Sequence, residues 1–180
     1  MAALLPASIS LILTSTSPPA VAEDWPTFRH DREFTASTSE RLSLPLDPIW
    51  VFRSRQSQHP AFMRGNRGVE FTPERDRYEL SISAADDALF FTSAADGRIV
   101  CLEAASAKVR WEFIAEGSVN RVPTYYQGKV YAGSDDGHVY CLDVKTGKRV
   151  WSYKAAPANR WLFSYNQLTS VWTVRTNIVV

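Results

Sequence analysis

Two cysteines, Cys101 and Cys141, have thiol side chains that could support redox or metal chemistry. Paired thiols can form a disulfide in an oxidising compartment, and thiolates bind zinc when further Cys or His ligands complete the set. No other cysteine is present in the sequence, and we predict no metal site. Whether the two thiols can bridge depends on the elements that carry them.

The stretch Asp135-Asp136-Gly137-His138 places two carboxylates beside an imidazole and could hold a metal ion. Runs of strand-forming residues flank it, and Asp-Gly between such runs favours a tight hairpin turn, which is our interpretation. His30 and His59 lie in polar, proline-containing surroundings, so we predict that both are solvated. We predict no catalytic residue, because the sequence contains no nucleophile elbow, phosphate-binding loop or dinucleotide-binding glycine pattern.

A polar and aromatic group near the C-terminal end is the candidate for ligand binding, because loops on a rigid scaffold often carry function. Its members are Asn159, Arg160, Gln167, Ser170 and Trp172. From this group we take Arg160, Gln167 and Trp172 as candidate cofactor-binding residues. The charged stretch from Arg64 to Arg77 is predicted to be a solvated insertion, with a binding loop as the alternative.

An internal repeat supplies the elements that must position these side chains. Leu89–Phe113 aligns with Lys129–Tyr153 at one constant shift, without a gap. The aligned pairs include Asp96 with Asp136, Gly97 with Gly137, Cys101 with Cys141, Lys108 with Lys148, and Trp111 with Trp151. A period of about 40 residues with strand-forming content is typical of a β-propeller blade.

Each copy divides into short strands separated by turns. In the second copy, the predicted strands are Val130–Gly133, His138–Leu142 and Arg149–Tyr153, with turns at Asp136–Gly137 and Lys145–Lys148. Asp136-Gly137 suits a type I′ turn, in which both residues need positive φ. A fourth strand is predicted within Gly117–Tyr125 for this copy and within Tyr78–Ser83 for the first. The predicted fold class is therefore all-β, a partial β-propeller of four-stranded antiparallel blades in an incomplete ring.

The repeat places Cys101 and Cys141 at equivalent positions of neighbouring blades. Blade spacing exceeds the roughly 7 Å Cα separation that a disulfide allows, so we predict two buried core thiols, with a disulfide as the alternative. Trp111 and Trp151 recur once per blade, and each can cover the face of the next blade. We interpret both as structural, and stacking on a cofactor is the alternative.

The second copy resembles a known motif. Cys141–Trp151 is similar to the tryptophan-docking motif of quinoprotein propellers, which runs Ala-x-Asp, then Thr-Gly, then Trp. Cys141 replaces the Ala and the other positions match, whereas the first copy has Glu103 in place of Asp and Ser106-Ala107 in place of Thr-Gly. The same repeat occurs in the non-enzymatic propeller of the outer-membrane β-barrel assembly machinery. The predicted blade-docking residues are Trp111, Trp151, Gly97, Gly137, Gly147 and Asp143.

Both ends of the chain resemble large exported propeller proteins of planctomycete-type bacteria. Asp24–Asp31 is similar to the opening of those proteins, and Leu46–Phe52 matches the first "Leu…Trp" blade that follows it. Tyr165–Val174 is similar to the segment that enters the blade after the second docking tryptophan. In this scheme Trp172–Val180 is predicted to be a strand.

The N-terminal residues have the layout of a secretory signal. An apolar run, Met1–Leu13, is followed by Ala20-Val21-Ala22, an A-x-A cleavage site, although the run lacks a preceding Lys or Arg. We predict export to the periplasm or cell envelope, with a cytosolic tail as the alternative, and no transmembrane segment. The predicted layout is a signal peptide at 1–22, an extended segment at 23–45, first-blade material at 46–113 with an inserted loop at about 60–77, a second blade at 114–153, and the truncated start of a further blade at 154–180.

The resemblance implies two functions. One is a non-catalytic binding or assembly scaffold, and the other is a pyrroloquinoline-quinone-dependent dehydrogenase whose catalytic residues lie outside this chain. Quinoprotein alcohol dehydrogenases carry adjacent cysteines, which this sequence lacks, so we predict no cofactor in this chain. A formal charge of +1 does not favour nucleic acid as a partner. The expected partners are the missing blades or another exported protein, and a relic of a longer gene is a third interpretation.

Overall fold

Two four-stranded antiparallel sheets form the body of the protein. The computed structural model describes residues 23–42, 44–53, 81–164 and 167–180, and its described residues contain strands and turns but no helix. The first sheet contains β1 (Ser81–Ala85), β2 (Ala88–Ser93), β3 (Arg98–Glu103) and β4 (Val109–Ile114) in sequence order. The second contains β5 (Thr124–Tyr126), β6 (Lys129–Gly133), β7 (His138–Asp143) and β8 (Arg149–Lys154) in the same order. A separate hairpin joins β9 (Trp161–Ser164) to β10 (Gln167–Ser170).

These sheets are propeller blades, and they confirm the all-β prediction of a partial propeller with an incomplete ring. The central strand β3 buries Ile99, Val100, Cys101 and Leu102 in succession, because both faces of its sheet are covered. The outer strand β4 instead alternates, with Trp111 buried between the exposed Arg110 and Glu112 neighbours along the chain.

Strand register departs from the gapless repeat in one place. The strands β3 and β7, and likewise β4 and β8, keep the shift of the sequence repeat. However, Phe90 pairs with Cys101 in the first blade, whereas Tyr131 pairs with Cys141 in the second. The structural counterpart of Phe90 is therefore Tyr131. The chain between the paired residues is one residue shorter in the second blade, from β6 to β7, than in the first blade, from β2 to β3.

The predicted type I′ turn at Asp136-Gly137 is wrong. Gly137 has φ of 88°, but Asp136 is not among the residues with positive φ, so the two-residue mirror-image turn does not form. The connection is a longer loop instead, in which the Gly137 N–H donates to the Ser134 carbonyl at 3.1 Å. A longer loop relieves Asp136 of the left-handed conformation that a non-glycine residue disfavours.

One apolar core cluster extends across both blades. Phe90 and Trp111 of the first blade belong to the same buried cluster as Tyr140 and Leu142 of the second. Phe113 reaches across to Tyr140, with ring centroids 5.2 Å apart. Since neither sheet can bury its face alone, this shared core stabilises the pair of blades as a unit.

The N-terminal segment ties the inner strands of the two blades together. The backbone of Trp25 exchanges two hydrogen bonds with Ala84 in β1, at 2.7 and 2.8 Å. The next residue, Pro26, accepts a hydrogen bond from the Tyr125 N–H of β5 at 2.7 Å. The segment therefore occupies strand edges that would otherwise be open to pairing.

The C-terminal segment does not form the strand predicted at Trp172–Val180. Its backbone bonds to the loops and strand ends of the second blade: the Val174 N–H donates to Ser134 at 3.0 Å, and the Ile178 carbonyl accepts from the Thr124 hydroxyl at 2.7 Å. These contacts direct its backbone groups to loops and side chains rather than to a partner strand. In the described part of the chain, no helix is both long and apolar enough to span a bilayer.

Candidate functional site

Trp111 packs on the second blade at the turn between β7 and β8. Its indole N–H donates to the Val144 carbonyl at 2.7 Å, and 7 % of the residue is exposed. The ring lies over Gly147, where a Cβ would stand 2.5 Å from Trp111 Cδ2. Gly147 also has φ of 66°, a left-handed conformation that favours glycine. Glycine therefore suits this position both for its backbone conformation and because it leaves room for the docked ring.

Trp50 makes the same contact with the first blade. Its indole N–H donates to the Ala104 carbonyl at 2.9 Å, and Ala104 holds the position in the first copy of the repeat that Val144 holds in the second. Nearby, Phe52 packs on Phe91 with ring centroids 5.1 Å apart. The segment that resembles the "Leu…Trp" blade thus supplies a docking tryptophan, and its residues 46–52 lie outside any strand.

Trp151 occupies the corresponding position of the second blade but is largely uncovered. It is 43 % exposed, against 7 % for Trp111, and it contacts the Tyr131 ring at 6.0 Å between centroids. Tyr153, at the position of the partly buried Phe113, is 65 % exposed. We call the surface formed by Tyr131, Trp151 and Tyr153 the open blade face.

Asp143 organises the turn that receives the docked tryptophan. Its carboxylate accepts hydrogen bonds from the hydroxyl and the backbone N–H of Thr146, at 2.8 and 2.9 Å. These bonds favour the ionised form, so the pKa of Asp143 is lowered. In the first blade Glu103 accepts from the Ser106 hydroxyl, so the departure from the motif keeps the turn by another pair.

Asp135 and Asp136 lie in a turn, as interpreted from the sequence, but they are buried rather than solvated. Both Asp135 oxygens accept from the Arg175 guanidinium at 2.8 Å, which anchors the C-terminal segment to the second blade. Asp136 accepts from the Tyr140 hydroxyl at 2.6 Å and from the His138 N–H at 2.8 Å. Burial, together with the hydrogen bond to Asp136, raises the pKa of Tyr140. Among the described residues, no three His, Cys, Asp or Glu are grouped to hold a metal ion.

Both cysteines are free and buried, which confirms the prediction of two core thiols. Burial raises the pKa of the Cys101 thiol to about 11 and also raises that of Cys141. A thiol with a raised pKa is a poor nucleophile at neutral pH.

The candidate ligand group lies around the hairpin of β9 and β10. Asn159 and Arg160 are exposed, and the Arg160 carbonyl accepts from the Val171 N–H at 2.9 Å. Ser170 is buried, and its hydroxyl oxygen accepts from the Trp172 N–H at 3.1 Å. The Gln167 side chain lies outside the described part. Arg160 is thus bonded to the residue before Trp172, and the role of Arg160, Gln167 and Trp172 in ligand binding stays a prediction.

A cleft of about 470 Å³ between the N-terminal segment and β5 was not predicted. Its lining includes four acidic residues, two basic residues and two tyrosines: Glu23, Asp24, Asp31, Glu33, His30, Arg32, Tyr125 and Tyr126. The predicted solvation of His30 is wrong, because its Nε2 lies 3.2 Å from Glu23 and its ring contacts Trp25. The two walls are far apart in the sequence, and no local pattern joins them. His59 and Arg64–Arg77 lie outside the described residues.

Comparison with known proteins places this geometry in a family. A family model described as outer membrane protein assembly factor BamB matches residues 54–179. The dehydrogenase subunit of the quinone alcohol dehydrogenase of Acetobacter aceti is 31 % identical over 121 residues, covering 61 % of this chain and 15 % of the relative. The quinohemoprotein alcohol dehydrogenase ADH IIB of Pseudomonas putida is 33 % identical over 97 residues, covering 48 % and 13 %. This chain therefore spans only a small part of the length of the curated relatives it matches.

Two solved structures that resemble part of this chain are an alcohol dehydrogenase and a BamB protein. The quinohemoprotein alcohol dehydrogenase of Comamonas testosteroni is 19 % identical, with a TM-score of 0.45, over 74 % of this chain and 19 % of that chain. BamB of Moraxella catarrhalis is 22 % identical, with a TM-score of 0.38, over 41 % and 23 %.

Proposed function

This chain belongs to the family of the outer membrane protein assembly factor BamB, and from that premise we propose that it is a non-catalytic binding and assembly scaffold of the cell envelope. The observation that carries the proposal is the open blade face. It repeats the chemistry of a face that is already docked, but its tryptophan is 43 % exposed.

The occupant of the open blade face is a further four-stranded blade of the same repeat. Trp50 and Trp111 each donate to a carbonyl at the same place in the blade that follows, at Ala104 and Val144. By the same spacing, Trp151 is placed to donate to the matching turn of another blade. Burying its exposed part and that of Tyr153 would contribute about 2–3 kcal/mol.

The buried acidic side chains at the loop of the second blade serve the scaffold as well. Asp135 is occupied by Arg175, and Asp136 by Tyr140 and His138. The Asp136 contacts hold the loop between β6 and β7 against β7, and the Asp135 contact fastens the C-terminal segment, so these groups contribute to the blade structure.

Export is part of this proposal. Residues 1–22 serve as a signal peptide, which is cleaved after Ala20-Val21-Ala22. The A-x-A pattern supports cleavage at the Ala22–Glu23 bond, and the family description supports a location in the envelope.

A photo-crosslinking experiment tests the scaffold function. A benzophenone amino acid at Tyr153, on the open blade face, is expected to yield a protein adduct when the chain is produced in an exporting bacterium and irradiated. The same probe at Lys108, which is exposed just before β4, is the matched control and should yield none. Adducts of equal yield at both positions, or at neither, would contradict the docking role.

The alternative function is a pyrroloquinoline-quinone-dependent oxidoreductase, which the descriptions of the curated relatives favour. The quinone is itself a polycarboxylate, and the cleft is lined by four acidic residues, Glu23, Asp24, Asp31 and Glu33, beside the basic Arg32 and His30. This excess of acidic residues offers such a ligand little electrostatic attraction.

Adding the quinone and Ca²⁺ to the purified chain separates the two functions. The scaffold function predicts an unchanged absorbance spectrum of the quinone and no dye reduction with alcohols or sugars. A saturable spectral change with substrate-dependent dye reduction would establish the oxidoreductase instead.

A further inference from the structure

The first described residue, Glu23, is held by a short loop at Thr38–Glu40. Its backbone N–H donates to Glu40 Oε2 at 3.3 Å. Its own carboxylate accepts from the Thr38 hydroxyl and lies 3.2 Å from His30 Nε2. The carboxylate of Glu23 and the backbone nitrogen of Glu23 therefore have separate partners, and the partner of the nitrogen is Glu40.

Signal cleavage at Ala22–Glu23 would change the chemistry of this nitrogen. Water breaks the peptide bond, adding hydroxyl to the Ala22 carbonyl carbon and a proton to the Glu23 nitrogen. The released amine then takes up a further proton from solvent near neutral pH. A neutral amide donor thus becomes an ammonium group facing the same carboxylate.

We propose that the Glu40 carboxylate binds the α-ammonium group of the mature chain. This group forms when the bond between Ala22 and Glu23 is cleaved. This inference rests on the proposed export. Charge-assisted hydrogen bonds are stronger than those between neutral groups, so the mature chain holds Glu23 more firmly than the precursor does. The capture fixes the start of the segment that joins Trp25 to β1 and Pro26 to β5.

Other charged groups lie on the same segment as the new ammonium. The Glu23 carboxylate and that of Asp24 on the same segment are negative, whereas His30 contributes positive charge only when it is protonated. Glu40 is distinguished from these by its direct contact with the nitrogen. Its removal should therefore alter the amine more than removal of a neighbouring carboxylate that makes no such contact.

The test uses the full chain, produced in an exporting bacterium and purified. Intact mass and N-terminal sequencing identify the first residue. Acetic anhydride then labels the α-amine across a range of pH, and mass spectrometry of the N-terminal peptide gives its apparent pKa. The lysine side chains of the same molecule provide an internal reference for reagent activity and for folding.

We expect a mature chain that begins at Glu23, with an α-amine pKa that Glu40→Gln lowers by about half a unit, as for an exposed ion pair. The matched control Glu33→Gln removes a carboxylate from the same segment and should leave the value within about 0.2 units, since it does not contact the nitrogen.

Two failures can be told apart. A first residue other than Glu23 overturns the assigned cleavage, and with it this inference. A chain that begins at Glu23 but responds equally to Glu40→Gln and Glu33→Gln leaves export intact and refutes capture by Glu40.

Discussion

Gly147→Ala tests the docked tryptophan directly. The added Cβ would lie 2.5 Å from Trp111 Cδ2, whereas carbon atoms in good contact are about 3.5–4.0 Å apart. The ring or the turn must therefore move by about 1 Å. Movement of the ring also strains the hydrogen bond from its indole N–H to Val144, which is 2.7 Å long.

Two costs add in this variant. Alanine at φ of 66° costs roughly 1–2 kcal/mol for the left-handed backbone. Overpacking against the ring adds about 1–3 kcal/mol. We expect the free energy of unfolding to fall by about 2–5 kcal/mol, measured by urea unfolding of the purified chain with far-ultraviolet circular dichroism.

Gly128→Ala is the matched control. Gly128 has a similar φ of 72°, but a Cβ there would meet only the Val144 Cγ1 atom at 4.0 Å. This variant should lose only the backbone part, about 1–2 kcal/mol. Equal losses for Gly147→Ala and Gly128→Ala, within about 0.5 kcal/mol, would refute the claim that Trp111 requires glycine beneath it.

Three further predictions concern stability. Ala107 has φ of 55° at the turn that receives Trp50, so Ala107→Gly should raise the free energy of unfolding by about 0.5–1 kcal/mol, and a lower urea midpoint would contradict this. Arg175→Met removes the guanidinium that pairs with the buried Asp135, so the free energy of unfolding should fall by about 2 kcal/mol. Adding Asp135→Asn should recover part of that loss, and strict additivity of the two substitutions in a double-mutant cycle would argue against the pair. Burial raises the pKa of the Cys101 thiol from 9.0 to about 11. Its contribution of about 2–3 kcal/mol to the free energy of unfolding is therefore complete below pH 9 and lost as pH rises towards 11. If the free energy of unfolding of the wild type falls with pH no more steeply than that of Cys101→Ala, this prediction is contradicted.

The repeat and its strands could be predicted because their signals are local. The period of the repeat fixes equivalent positions, a run of strand-forming residues after a turn marks β7, and alternation of polar and apolar residues marks β8. The burial of Cys101 and Cys141 followed from the same equivalence, since both lie in central strands covered on two faces. The blade fold therefore needed no information beyond the sequence pattern.

Contacts between distant segments could not be predicted. The β9–β10 hairpin and the ion pair of Asp135 with Arg175 arise where the chain crosses between repeats, so no second copy marks them. The partly buried position of His30 depends on its contacts with Glu23 and Trp25, which no local sequence pattern marks. The one-residue shift of Tyr131 follows from loop length, which a gapless alignment conceals.

Hydrogen exchange of the tryptophan indole N–H groups tests the central account most directly. Residue-assigned ¹H–¹⁵N spectra of the purified chain should show that Trp50 and Trp111, which donate to Ala104 and Val144, exchange more than about tenfold slower than the exposed Trp151. Exchange of the Trp111 indole as fast as that of Trp151 would contradict blade docking through this side chain.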